Sequence, residues 1–122
     1  MKVREHPVLV LSDAAAADLS THQHKLVKLA SGIALCGAGE AALGVLQNDP
    51  VSGQAADVLV MGVSRCIAGA AVTAGAKVMS DAAGKAITAT STNQACGVAL
   101  TAAAADGDLI SILVTGRTEE LA

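Results

Sequence analysis

The feature that most constrains the fold is a strand–turn–strand pattern in residues 97–116. A short apolar run opens at Gly97, an alanine-rich segment follows, and Asp106-Gly107 precedes a second apolar run that ends at Gly116. An Asp-Gly pair between two apolar runs is typical of a β-hairpin, because glycine adopts the positive φ that tight turns require. We therefore predict a hairpin whose longer strand, residues 108–116, is buried.

A looser copy of this pattern occurs earlier in the chain. Residues 44–47 begin with Gly-Val, a turn contains Pro50 and Gly53, and an apolar run extends from Asp57 to Gly62. Across the whole chain, residues 27–32 correspond to 78–84, 44–46 to 97–100, and 57–60 to 108–111. These correspondences predict an internal repeat that builds two related β-lobes.

Other short apolar runs lie between glycine-containing turns and predict further strands. These runs occupy residues 25–30, 33–36, 63–68, 76–80 and 85–90. Val8-Leu9-Val10-Leu11 is either a strand or an apolar arm, and the alanine run 14–17 is either a short capped helix or a loop. The twelve glycines, spread at turn spacing, argue against an all-helical alanine-rich protein.

The predicted elements divide the chain into three segments. Residues 1–24 form an extended N-terminal arm, residues 25–116 a β-rich domain, and residues 117–122 a polar C-terminal tail. Many short strands separated by turns favour a small β-barrel or sandwich, β-tulip-like in shape. We therefore predict a mainly β fold with a single domain and at most short helices.

The core must form without aromatic side chains. The 122 residues include no Phe, Tyr or Trp, and much of the 52% hydrophobic content is alanine. Aromatic residues usually supply the largest single burial contributions, so Val, Leu, Ile and Met must supply them here. Because such a monomer would be only marginally stable, we expect it to oligomerise or dock on a larger partner.

Charge and composition exclude several classes of protein. A net charge of −3, with no basic cluster and no aromatic residue for base stacking, argues against nucleic-acid binding. No apolar run is long enough to cross a membrane, and the N-terminus lacks the apolar segment of a signal peptide. Three cysteines without Cys-x-x-Cys spacing predict buried, reduced thiols in a protein made in the cytoplasm.

A search for catalytic or metal-binding patterns finds no strong candidate. His22 and His24 lack a third ligand at matching spacing, and we interpret them as surface residues. No serine lies in a nucleophile elbow, no phosphate-binding loop is present, and the acidic residues are scattered. We therefore predict no catalytic residues, no cofactor, no metal and no enzymatic activity. A catalytic cysteine would require an unusually reactive thiol among Cys36, Cys66 and Cys96.

One alternative function depends on Lys85. This lysine follows Gly84 between two predicted strands. Lipoyl and biotinyl carrier domains are small β-barrels that present a modified lysine at a hairpin tip. A carrier or accessory domain of an enzyme is therefore the alternative, although an ordinary solvated lysine explains the residue more simply.

The order and spacing of the segments resemble the capsid decoration, or cement, proteins of tailed bacteriophages. The resemblance covers most of residues 17–114: Ala17–Gln23 leading into Leu26–Leu29, Gly44–Pro50 with Gly53, 56–58 and Gly62–Ser64, then Ala74-Gly75, Asp81–Ala86, Gly97–Leu100 and the Asp-Gly-Asp strand. This chain departs from its relatives in lacking aromatic residues, including at positions 23–25.

The resemblance implies a structural virion protein with no catalytic residues. Such proteins lie on the capsid exterior, bind the major capsid protein lattice and often form homotrimers at threefold or quasi-threefold positions. It therefore implies two partners, the major capsid protein and further copies of the same chain, and a place in the mature phage head after synthesis in the host cytoplasm.

The N-terminal arm contains the candidate capsid-binding residues. An apolar run behind Pro7 could add a strand to the exposed sheet edge of a partner. We predict that Arg4, Val8, Leu9, Val10 and Leu11 contact the capsid, within a segment 1–24 that contacts the capsid or a neighbouring subunit.

Overall fold

The computed structural model describes residues 5–89 and 94–120, with only the backbone for residues 94 and 115–120. This part of the chain folds into one curled antiparallel sheet that forms a half-barrel, and it contains no helix. The prediction of a mainly β, barrel-like or sandwich-like fold is confirmed. The strands are β1 (His6–Ala14), β2 (Leu26–Leu29), β3 (Ile33–Leu35), β4 (Gly44–Leu46), β5 (Ala55–Ile67), β6 (Lys77–Ser80), β7 (Ala86–Thr88), β8 (Gln94–Ala99) and β9 (Leu109–Glu120).

Strand β5 joins the two halves of the sheet. The strands follow the order β3-β2-β4-β5-β9-β8-β6-β7, and β1 pairs with β5 outside this path. The thirteen residues of β5 are long enough to pair with β1 and β4 in the N-terminal half and with β9 in the C-terminal half. Each half of the sheet therefore depends on the same strand.

The strand predictions agree with the structure in most places. The apolar run Val8–Leu11 belongs to strand β1. The alanine run 14–17 forms no helix: it contains the end of β1 and a bridge residue and then continues as a loop. The runs 57–62 and 63–68 form one strand, because Gly62 continues β5 at a φ of 120°. The backbone of β9 continues into the segment predicted as a polar tail, where Glu119 and Glu120 pair with β8.

The pairing pattern confirms the internal repeat. In the first repeat β2 pairs with β3 and β4, and in the second β6 pairs with β7 and β8. The pairing of β1 with the N-terminal half of β5 recurs as the pairing of the C-terminal half of β5 with β9. β1 is therefore equivalent to the C-terminal half of β5, and the N-terminal half of β5 is equivalent to β9. The first repeat is therefore β1 to β4 plus the start of β5, and the second is the end of β5 plus β6 to β9.

Connections outside the strands repeat as well. The bridge between Ala15 and Ile33 in the first repeat recurs between Ala68 and Ala86 in the second. The Leu19 N–H donates to the Pro50 carbonyl at 2.9 Å, and the Val72 N–H donates to the Ala103 carbonyl at the same distance. The repeat thus includes the long connections between strands.

The register corrects one of the three predicted correspondences. Val58 pairs with Leu11 and Ile112 pairs with Ser64, so Val58 is equivalent to Ile112 and Asp57 to Ser111, not to Asp108. The Asp108 carboxylate instead accepts hydrogen bonds from N–H groups of the preceding turn. Matching the two aspartates was wrong because buried side chains, not the residues beside a turn, set the register of a strand.

Each repeat buries one face of its sheet, here called its inner face. Neither inner face contains an aromatic side chain. Each buried residue of the first inner face has an equivalent buried residue in the second. The inner face of the first repeat comprises Ala15, Leu19, Val27, Ile33, Leu46, Ala56, Val58 and Val60, and the equivalent residues of the second are Ala68, Val72, Val78, Ala86, Ala99, Ile110, Ile112 and Val114. Aliphatic residues therefore form the core, as the composition predicts.

Two glycines at equivalent positions allow adjacent strands to approach closely. A Cβ at Gly44 would overlap the Leu59 carbonyl oxygen, and a Cβ at Gly97 would overlap the Leu113 carbonyl oxygen. Both overlaps involve backbone, which cannot rotate away as a side chain can. Gly44 and Gly97, which open the two Gly-Val segments in the sequence, are thus required by packing.

We expect Gly97→Ala to lower the free energy of unfolding by about 1–3 kcal/mol, because the methyl group forces β8 away from β9. Urea unfolding followed by far-ultraviolet circular dichroism measures this loss. Gly107→Asn is the matched control, since no atom lies within 4 Å of a Cβ at this turn position and Asn tolerates its φ of 93°. Equal stability of Gly97→Ala and the control would contradict the packing argument.

His24 links the two repeats and makes stability sensitive to pH. It lies in a turn at a φ of 65°, its carbonyl accepts the Ile67 N–H at 2.9 Å, and its Nδ1 is buried without a hydrogen-bond partner. Burial lowers the pKa of its imidazole; Glu5 opposes this shift and Arg65 adds to it. The folded protein therefore favours the neutral imidazole.

We expect acid to destabilise the wild type more than the His24→Asn variant. As the pH falls through about 6.5, the unfolded chain binds a proton at this histidine before the folded chain does, so stability is lost. Asn keeps the positive φ and removes the titration. Unfolding free energies at pH 7.5 and 5.5 provide the measurement, and an equal loss in both proteins would rule out His24 as a source.

Candidate interaction surface

Strand β1 exposes a continuous run of apolar side chains in its middle part. All nine of its residues are exposed, and Val8 is 72% accessible while Leu9, Val10 and Leu11 are 44–46% accessible. Four consecutive large apolar residues at this exposure are unusual on a small domain and typical of an interaction site. The structure therefore brings together, on one strand, four of the residues that the sequence analysis selects. The fifth, Arg4, lies outside the described residues.

Backbone geometry holds β1 against β5. A Cβ at Gly62 would lie within 2.7 Å of the His6 carbonyl oxygen and the Val8 nitrogen, so only glycine permits this close approach. The pairing register shifts on either side of Leu9, which marks an irregularity such as a β-bulge. β1 is therefore fixed by its pairing while its side chains stay in solvent.

Polar contacts stabilise β1 near both ends. The Ser12 hydroxyl donates to the Asp57 carboxylate, and Glu5 forms an ion pair with Arg65 at 3.3 Å. The Glu5 side chain is also buried at Oε1, an atom without a hydrogen-bond partner. These contacts tie both ends of the exposed apolar strand to β5.

A groove extends this apolar surface from β1 towards β2 and β3. It has a volume of about 200 Å³ and is lined by Leu11, Ser12, Asp13, Leu29, Ile33 and Leu43. Leu29 is 62% exposed at the end of β2. The groove thus lies over the inner face of the first repeat and joins it to the side chains of β1.

Sequence reasoning identifies β1 but misses the rest of this surface. Leu29 and Ile33 are ordinary members of short predicted strands, and Leu43 precedes the predicted strand that opens at Gly44. Nothing near these residues in the sequence marks them as neighbours of Leu11. The pairing of β1 with β5 and the bridge between Ala15 and Ile33 bring these segments together. Since these contacts span distant parts of the chain, no local pattern contains the signal.

The three thiols are unsuited to nucleophilic chemistry. Cys36, Cys66 and Cys96 are all buried and free. Burial raises the pKa of Cys36 to about 11, that of Cys96 to about 12 and that of Cys66 further still. A nucleophilic cysteine needs a lowered pKa and access to substrate, and these thiols have neither.

The remaining sequence candidates also lie outside any catalytic arrangement. Among the side chains that the structure describes, in residues 5–89 and 95–114, no group of three His, Cys, Asp or Glu could hold a metal ion. Lys85 closes the β6–β7 turn rather than standing at its tip, because its carbonyl accepts the Asp81 N–H. Its ammonium pairs with Asp106 at 3.0 Å. The carrier interpretation of Lys85 therefore lacks the projecting lysine that it needs.

In the described part of the chain, no helix is long and apolar enough to span a bilayer.

A solved structure has the same fold. The crystal structure of the head fiber gp8.5 N base in bacteriophage phi29 matches with a TM-score of 0.69 at 15% sequence identity, covering 92% of this chain and 98% of that chain. No curated protein matches the chain.

The sequence shows to which protein family the chain belongs. The model of the phage cement protein family matches residues 3–116, which is nearly the whole chain and includes every strand from β1 to the larger part of β9. A match of this length agrees with the resemblance noted in the sequence and with the fold of the phage head fiber base. The chain therefore belongs to the phage cement protein family, whose members have a structural role in the phage capsid.

Proposed function

We propose that this protein stabilises the mature phage head by binding the outer surface of the major capsid protein lattice as a homotrimer at threefold or quasi-threefold positions. Family membership supports a structural role in the virion. The observation that carries the finer proposal is the exposed apolar strand β1, whose backbone is paired with β5. Such a strand offers both backbone groups and apolar side chains to a partner.

The N-terminal half of β1 is the proposed capsid contact. Val8 and Val10 are exposed, and neither lines the groove that begins at Leu11. Their two side chains can therefore reach a capsid subunit beside the strand. Leu9, which lies between them in the sequence, and Arg4, which precedes the strand, complete the proposed contact. Leu11, by contrast, lines the groove.

The small apolar area that a single chain buries supports the proposed homotrimer. The core is aliphatic and alanine-rich, while large apolar residues on β1, Leu29, Leu109 and Leu113 stay exposed. A multivalent cement protein also gains binding strength from several linked contacts on one capsid. Assembly of several copies would thus supply missing burial and tighter capsid binding together.

We expect the double substitution Val8→Asp/Val10→Asp to weaken capsid binding at least about tenfold, because charges replace the apolar contact area. Cosedimentation with expanded capsids that lack the protein measures the dissociation constant. Val51→Asp is the matched control, since Val51 is 45% exposed in the loop between β4 and β5. Unchanged binding of the double variant would refute the role of β1, and a wild type that does not bind capsids would refute the proposed function.

We also expect the purified protein to have a solution mass three times that of its 11.9 kDa chain. Light scattering with refractive-index detection suits this measurement, because a chain without Tyr or Trp absorbs almost no light near 280 nm. A mass of one chain at every concentration tested would contradict a homotrimer in solution.

A further inference from the structure

The contact between the two repeats shows what covers an inner face in this fold. Five inner positions of the second repeat are at most 3% exposed: Ser64, Cys66, Ser80, Ala86 and Cys96. They lie against the opposite face of the first repeat, here called its back face, which contributes Leu26, Cys36, Val45 and Leu59 to the same buried cluster. Hydrogen bonds across this contact include those from Gln47 Nε2 to Ser64 Oγ at 2.9 Å, from the Gly39 N–H to the Ser80 carbonyl at 2.9 Å and from the Leu26 N–H to the Gly84 carbonyl at 2.6 Å.

The equivalent positions of the first repeat line the open groove. The pairing registers match Leu11 with Ser64, Asp13 with Cys66, Leu29 with Ser80, and Ile33 with Ala86, and Leu43 precedes Gly44 as Cys96 precedes Gly97. Three of these positions, all buried in the second repeat, are exposed in the first: Leu11 at 46%, Leu29 at 62% and Asp13. Leu43 is partly exposed, and Ile33 forms the buried floor of the groove. The groove is an inner face that lacks its cover.

The second repeat, in turn, has a back face that covers nothing within the described chain. The registers match Leu26 with Lys77, Val45 with Val98, and Leu59 with Leu113. Backbone hydrogen bonds match Cys36 with Ala89 and Gln47 with Leu100. Leu113 is 38% exposed, and Val98 and Leu100 are partly exposed.

We propose that the groove of the first repeat binds the back face of the second repeat of another copy of this chain, head to tail. The occupant follows from the fold itself, because the groove continues the pattern in which one repeat's back face covers the next repeat's inner face. Two different surfaces meet in such a contact, so every copy uses its groove for one neighbour and its back face for the other.

Side-chain chemistry at the matched positions supports this contact. Gln47 and Ser64 are both polar and hydrogen-bonded inside the chain, whereas their equivalents, Leu100 and Leu11, are both apolar. The Cys36 thiol and the Ser80 hydroxyl likewise interact, and their equivalents are Ala89 and Leu29. Both of these polar pairs become apolar pairs, so neither leaves a polar side chain without its partner in the proposed interface.

Two further positions, one on each surface, carry charges where the internal contact has buried apolar residues. Leu26 and Cys66 belong to the same buried cluster inside the chain. Their equivalents are Lys77 on the back face and Asp13 at the groove, which carry opposite charges. Opposite charges on two facing surfaces favour association and disfavour the reversed docking of two like surfaces. This inference deepens the proposed homotrimer by naming the surfaces that join its subunits.

Two single substitutions test the interface. Leu29→Asp changes only the groove and Leu113→Asp only the back face, and both residues are exposed in the single chain, so each variant should keep the circular dichroism spectrum of the wild type. We expect each variant alone to have the mass of one chain by light scattering, while the Val51→Asp control keeps the wild-type mass. Either variant retaining the wild-type mass would overturn the inference.

Mixing the two variants tests the direction of the contact. The Leu113→Asp chain keeps an intact groove and the Leu29→Asp chain an intact back face, so a one-to-one mixture should form a heterodimer of two chain masses. A symmetric contact between like surfaces cannot be restored in this way. A mixture that stays monomeric would overturn the head-to-tail arrangement.

Crosslinking gives a measurement that does not depend on weakened variants. In a Leu11→Cys/Leu100→Cys chain, a short bis-maleimide should join neighbouring copies, since the native thiols are buried. The single variant Leu11→Cys should give no crosslinked product, and failure of the double variant to crosslink would count against the interface. Cosedimentation with capsids tests the cement function separately from this interface. If the wild type binds capsids but the Leu29→Asp variant stays assembled, the cement function stands and the proposed interface is wrong.

Discussion

The whole architecture depends on the backbone pairing of β5. This one strand ends the first repeat and begins the second, and it hydrogen-bonds to β1, β4 and β9. Gly62 allows this arrangement, because its positive φ and its missing side chain let β1 lie directly against the strand. With β5 shared, neither repeat is an independent unit, and the back face of the first becomes the cover of the second.

Packing without aromatic residues follows from the same arrangement. Small residues such as Gly44, Gly97 and the alanines of the inner faces let strands and repeats approach closely. Close approach compensates in part for the small apolar area that each side chain contributes. Two thin apolar layers result, of which one is covered within the chain and the other stays partly open along the groove. An open layer of this kind suits a protein whose working state is an assembly.

The position of the open surface relates the fold to a role on the phage head. β1 and the groove are neighbours, so one end of the molecule offers both an apolar strand and an apolar cavity. In the proposed arrangement Val8 and Val10 contact the capsid and Leu11 and Leu29 contact the next copy. Binding to the capsid and assembly would then use neighbouring side chains of the same strand. The buried, weakly acidic thiols and the ion-paired Lys85 fit a structural protein of this kind.

The sequence by itself determined the secondary structure and the duplication. Alternating short apolar runs and Gly or Asp-Gly turns are local signals, so they identified the strands and the two related lobes, and the order of those segments identified the family. The sequence also selected Val8–Leu11, because four large apolar residues in a row are conspicuous in a chain so rich in alanine. Only the tertiary structure decided that Asp57 is equivalent to Ser111, that β5 serves both repeats, and that Leu29, Ile33 and Leu43 share a groove with Leu11. These features arise from pairing between segments far apart in the chain, and the physical reason is that register and exposure are set by which face a neighbouring strand or repeat covers.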